Sequence, residues 1–94
     1  ISRADIVMSL SGRDKEQLFY VLELQDEYVL YADGKSRRIE HPKRKKKKHI
    51  KYVARVDSRV AEKLRAGDKV LNSELRRDLA SFGQQFISQD QGGS

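Results

Sequence analysis

Residues Leu18–Gly34 read LFYVLELQDEYVLYADG, and this stretch decides the fold. Side chains alternate along an extended chain, so Phe19 and Val21 fall on one face and Leu18, Tyr20, Leu22 and Leu24 on the other. Apolar character on both faces suits a strand that curls in a small barrel or is covered by another element. Gln25-Asp26-Glu27 is polar and short enough for a hairpin loop, and Tyr28 to Ala32 (YVLYA) supplies a second strand of β-branched and aromatic residues. Asp33-Gly34 then predicts a two-residue primed turn into KSRRIE (35–40), because glycine accepts positive φ and the turn matches the strand twist.

Working outward, Asp5 to Met8 contains Ile6, Val7 and Met8 and reads as a first strand, broken by the turn formers of Ser9 to Asp14. Downstream, Pro42 holds His41 in extended geometry. Ile50, Tyr52 and Ala54 alternate with Lys51, Val53 and Arg55, which restores a strand. Beyond Val56 the period changes. Asp57 or Ser58 can cap a helix whose face holds Val60, Ala61 and Leu64, and Gly67 is placed to end it. Asn72 or Ser73 can cap a second helix with Leu75, Leu79 and Phe82 at i, i+4 and i+7, joined by Phe86 if the helix survives Gly83. The expectation is a mainly β fold of five strands followed by two short helices: residues 1–56 as a barrel with a basic loop at 42–49, residues 57–87 as helices packed on it, and 88–94 as a flexible tail.

The charge is concentrated. Of 20 Lys and Arg and 14 Asp and Glu, ten basic and one acidic residue (Glu40) lie between Lys35 and Lys51, a local net of +9; the ten basic and thirteen acidic residues elsewhere net −3. A basic stripe of this kind is the footprint of a polyanion binder. Lys43 to Lys48 has no apolar periodicity and six like charges in a row, which predicts a protruding or mobile loop when alone.

With 36% charged residues against about 25% in globular domains, the core is expected to be thin. There is no cysteine, hence no disulfide or thiolate metal site, as suits a reducing cytoplasm. No run approaches the roughly 20 apolar residues of a membrane span, and ISRADIVMSL lacks the pattern of an export signal. The chain opens on Ile1 and not Met, which is consistent with residues ahead of it. His41 and His49 are surrounded by lysines that disfavour a cation, and no carboxylate pairs with a nucleophile or oxyanion donor. Neither a metal, a cofactor, a small-molecule substrate nor an enzymatic activity is expected.

IVMSLSGRDKEQLFYVLEL, with Gly12-Arg13-Asp14, and YVLYADGKSRRIEHPKRKKKKHI, with its ADGK turn and basic run ending in Lys48-His49-Ile50, resemble the KOW-domain RNA-binding proteins of bacteria related to the e-type large-subunit ribosomal protein fourteen of archaea and eukaryotes. The likeness continues more weakly through EKLRAGDKVLNSELRRDLASF and covers about Ala4 to Phe82. It implies an SH3-like five-stranded barrel, RNA binding, 23S-type rRNA of the large subunit as partner with neighbouring ribosomal proteins beside it, and a cytoplasmic, ribosome-associated protein. Two positions depart from the family's pattern: Ala4 and Glu16 stand where relatives often carry glycine, which would permit positive φ or close backbone approach.

The candidate RNA contacts are Arg13 and Lys15 on the loop beside Gly12, Lys35, Arg37 and Arg38 beside the Asp-Gly turn, and Lys43, Arg44, Lys45, Lys46, Lys47, Lys48, His49 and Lys51. Lysines supply sequence-independent phosphate contact; arginines add a planar fork that binds phosphate and stacks on bases. Among Tyr20, Tyr28, Tyr31 and Tyr52, the last two flank the basic segment and are the better candidates for base stacking, although aromatics at strand spacing are more often core. PKRKKKK also matches a nuclear import signal, a pattern easily met by chance. The competing function is a protein-interaction module of SH3-like type, whose strand edges accept a partner strand.

Overall fold

The computed structural model describes residues 1–92, with side chains described through Gln85. Five strands, β1 (Ile6–Ser9), β2 (Leu18–Gln25), β3 (Tyr28–Ala32), β4 (Lys43–Lys46) and β5 (Ile50–Ala54), precede two helices, α1 (Arg59–Ala66) and α2 (Asn72–Gly92). The strands form one antiparallel sheet in the order β4-β3-β2-β1-β5. The mainly β class, the five strands and the two following helices are as the sequence predicts.

Over Leu18–Leu22 both faces of β2 are covered, each by a different partner, while Glu23–Gln25 is exposed. Phe19 and Val21 join Val7, Val29, Tyr31 and Ile50 in a cluster drawn only from strands. Because no helix contributes to it, the sheet must curl around these side chains to exclude water, and bulges in the β1–β5 and β2–β3 pairings permit the bend. Within the cluster the rings of Phe19 and Tyr31 stack with centroids 4.1 Å apart. The opposite face carries Ile6, Tyr20 and Ala32, covered by Val60, Ala61 and Leu64 of α1 and Leu75 and Leu79 of α2. An isolated eight-residue helix is unstable in water, so α1 depends on this cover; burial of Val60 and Leu64 supplies about 1.5–3 kcal/mol each.

The ends of α1 follow their residues. Ser58 caps it by accepting the Ala61 N–H, and Gly67 closes it at φ +76°, with its own N–H and that of Asp68 returned to Leu64 and Lys63. At the start of α2 the cap differs from expectation. Asn72 turns its side chain away from the helix: its Oδ1 accepts the Ile39 N–H at 2.8 Å and its Nδ2 donates to Glu40 at 2.7 Å, while Glu74 reaches back to the Leu71 N–H at 3.2 Å.

Three further expectations are corrected. KSRRIE (35–40) is not a strand: Asp33 accepts the N–H groups of Lys35 and Arg37 and the Ser36 hydroxyl, which winds the chain into a loop. The fourth strand is the basic run itself, since Lys43–Lys46 pairs along β3, so 42–49 is not a mobile loop. α2 is long rather than short, passing Gly83 and reaching Gly92, so the segment expected as a tail is helical over 88–92; residues 93–94 lie outside the described residues.

Candidate nucleic-acid interface

The pairing of β4 with β3 sorts the basic run into two faces, because residues directly opposite each other project to the same side. Lys43 lies opposite Tyr31 and Lys45 opposite Val29, at the margin of the strand-only core; both are half-buried. Half-burial of such long side chains lets their aliphatic stems cover apolar surface. Arg44 and Lys46 lie opposite Leu30 and Tyr28 on the other face and are exposed. The Arg44 guanidinium sits 3.6 Å over the Tyr28 ring and donates to Gln25 at 3.2 Å. A tight 3-10 turn, Lys47–His49, then leads into β5, anchored by the Lys47 N–H on the Glu27 carbonyl at 2.8 Å. Lys48 and His49 of this turn and Lys51 of β5 are exposed.

None of these cations is neutralised by a carboxylate within the described residues, where the ion pairs are Arg37–Asp14, Lys63–Glu74 and Arg65–Asp57. Adjacent positive charges with no carboxylate at ion-pair distance repel one another, and an external polyanion would relieve that repulsion.

Two of the sequence candidates are held inside the protein. Lys45 donates to the Ser11 carbonyl at 2.9 Å, pinning the loop that carries Gly12 to the basic strand. Arg37 donates from Nε to Asp14 at 2.9 Å, and the Tyr31 hydroxyl donates to the same carboxylate oxygen at 2.9 Å. Burial pushes the Asp14 carboxyl up, but the bonds from Arg37 and Tyr31 and the nearby charges of Arg37 and Lys45 outweigh it and hold it below the ordinary value. Burial is also the main cause that raises the Tyr31 phenol to about 12. Asp14 thus ties the Gly12 loop to β3 and to the loop after β3, and Arg37 acts there as a positioning residue.

Arg13, Lys15, Lys35 and Arg38 are exposed. Lys35 shares an open groove of about 750 Å³ with Asp33, Ser73, Arg76 and Arg77, which brings two α2 arginines beside a loop residue. Sequence reasoning gave Arg76 and Arg77 no role; the available signal was an adjacent arginine pair on the polar side of an amphipathic helix. Of the tyrosines, Tyr31 is fully buried and closed to any ligand, whereas Tyr52 is 51% exposed. Among the described residues no three metal-ligating side chains come together, and no helix is long and apolar enough to cross a membrane.

Compared with known proteins, the chain matches no protein-family model and no curated protein.

Proposed function

We propose that this chain binds structured RNA through β4, the 3-10 turn after it and the start of β5, with large-subunit rRNA as the favoured partner of a cytoplasmic ribosomal or ribosome-associated protein. The observation that carries the reading is an ordered edge strand of consecutive cations without carboxylate partners. Preorganisation matters because a strand already held on β3 loses little conformational freedom when it meets a phosphate backbone. The resemblance of the GRD loop, the ADGK segment and the basic run to KOW-domain proteins is the second support, and it alone favours rRNA over other polyanions.

The test is salt dependence together with RNase release. If about six phosphates are neutralised, log affinity falls against log salt with a slope of roughly −4 to −5. Replacing the exposed Lys46 and Lys48 by glutamine lowers that slope by between one and two, and RNase frees the protein from ribosomal particles. Binding that ignores salt, survives RNase and tolerates both substitutions would instead identify a protein-docking module.

A further inference from the structure

Three of the four tyrosine rings are already occupied. Tyr20 and Tyr31 have no exposed surface, and their hydroxyls are bound to Asp78 and Asp14. Tyr28 is half-buried under the Arg44 guanidinium. Tyr52 alone presents half its surface, at 51%, and among the described residues no hydrogen bond or ring contact engages it.

Its position is more telling than its exposure, since single exposed aromatics are ordinary. Tyr52 lies opposite Val7 in β5–β1 pairing, and Val7 lies opposite Phe19. It therefore stands on the sheet face that holds the strand-only core, the face shared by Lys43 and Lys45 through Tyr31 and Val29. In the chain, no acidic residue occurs between Glu40 and Asp57, and Lys48, His49, Lys51 and Arg55, all within four residues of Tyr52 in sequence, are exposed. A half-exposed aromatic ring within a stretch of chain that holds cations and no carboxylate combines the two elements that recognise an unpaired nucleotide: a stacking surface for the base and charge for the flanking phosphates.

Resting on the RNA-binding reading above, we propose that Tyr52 stacks on an unpaired base, so that the preferred ligand is RNA with a bulge, loop or free end and not an uninterrupted duplex. In an A-form duplex every base face is covered by its neighbours, and the lysines alone would not tell the two apart.

Two RNA hairpins of equal length, one fully paired and one with a single bulged nucleotide, provide the test by fluorescence anisotropy at fixed salt. Wild-type protein prefers the bulged hairpin by about 5- to 150-fold, the range one base–aromatic stack supports. Tyr52→Ala abolishes the preference while keeping wild-type affinity for the paired hairpin, which also reports that the variant is folded; Tyr52→Phe keeps the preference. A 2-aminopurine at the bulge changes emission on binding wild type and not on binding Tyr52→Ala. Salt-sensitive binding with equal affinity for both hairpins overturns the stacking proposal alone, as does an equal loss on both for Tyr52→Ala. Failure of wild type to bind either hairpin overturns the RNA reading with it.

Discussion

A β-carbon placed on Gly34 would stand 2.1 Å from the backbone carbonyl oxygen of Asn72, so the loop after β3 and the first turn of α2 meet backbone to backbone. Gly34 also has φ +78°, a conformation that costs other residues about 1–2 kcal/mol. No flexible side chain is available to move aside, so Gly34→Ala must displace α2 or the loop. The expected loss is on the order of 3 kcal/mol, read as a lower urea midpoint at unchanged slope. Because Ile39 and Glu40 both bond Asn72, the same variant should loosen the 33–40 loop.

Ala4 and Glu16, which stand where the KOW-domain proteins this sequence resembles often carry glycine, have φ of 70° and 68°. Both are non-glycine residues in the left-handed region, and their environments set different responses to Gly. Glu16 is exposed, so Glu16→Gly relieves strain with little loss of contact and should raise stability by about 0.5–1 kcal/mol. Ala4 is fully buried, so Ala4→Gly gives up a packed methyl worth about 0.8 kcal/mol and should be near neutral. Thermal melts of the two variants distinguish these outcomes.

Most of the sheet and α1 were legible because their residues alternate or recur at fixed intervals. Leu18–Leu24 has two apolar faces and the structure covers both over Leu18–Leu22, leaving Leu24 exposed; Ser58 and Gly67 bound α1 as capping chemistry requires. What failed was the region from 33 to 48. Asp33-Gly34 does require positive φ, but three bonds to the Asp33 carboxylate and the approach of α2 turn the chain into a loop in place of a hairpin. The basic run is a strand whose two sides differ in burial and not in residue type, so no pattern of polar and apolar letters could reveal it. Its sidedness comes from the partner strand, through Tyr31 and Val29. For the same reason the sequence could not separate Arg37 and Lys45, which hold the loops together, from the cations left facing solvent.

The Asp14 carboxylate makes stability pH-dependent, and the sign follows from its lowered value. Between its folded value and the ordinary 3.8 the unfolded chain binds more protons, so stability rises with pH there. The contribution is full well above 3.8, declines as pH falls through it, and is gone below the folded value. Asp14→Asn should flatten this acid limb in urea titrations from about pH 6 to about pH 2. Arg37→Ala removes a charged hydrogen bond and should cost on the order of 2 kcal/mol at neutral pH. The Tyr31 phenol acts on the alkaline side: raised to about 12, it supports folding fully below 10 and loses that support as pH rises through its folded value. Tyr31→Phe should remove that term.

If β4 binds RNA as proposed, its pairing with β3 should give salt opposite effects on folding and on RNA affinity. The free protein holds Lys43–Lys46 in a ladder and the Lys47 N–H on the Glu27 carbonyl, so amides of this segment that face β3 should exchange slowly without any ligand. Hydrogen exchange read residue by residue tests this; uniformly fast exchange across 43–47 would mean the strand does not persist alone. The adjacent cations repel, partly offset by the Arg44 contact with Tyr28, and the Debye length falls from about 10 Å at 0.1 M salt to about 3 Å at 1 M. Raising salt over that range should therefore raise the stability of the free protein by a few tenths to about 1 kcal/mol, while RNA affinity drops by orders of magnitude. Lys46→Glu separates the two: it relieves repulsion within the strand and should stabilise the free protein, and under the proposed RNA-binding role the same charge reversal should weaken binding by replacing an attraction to phosphate with a repulsion.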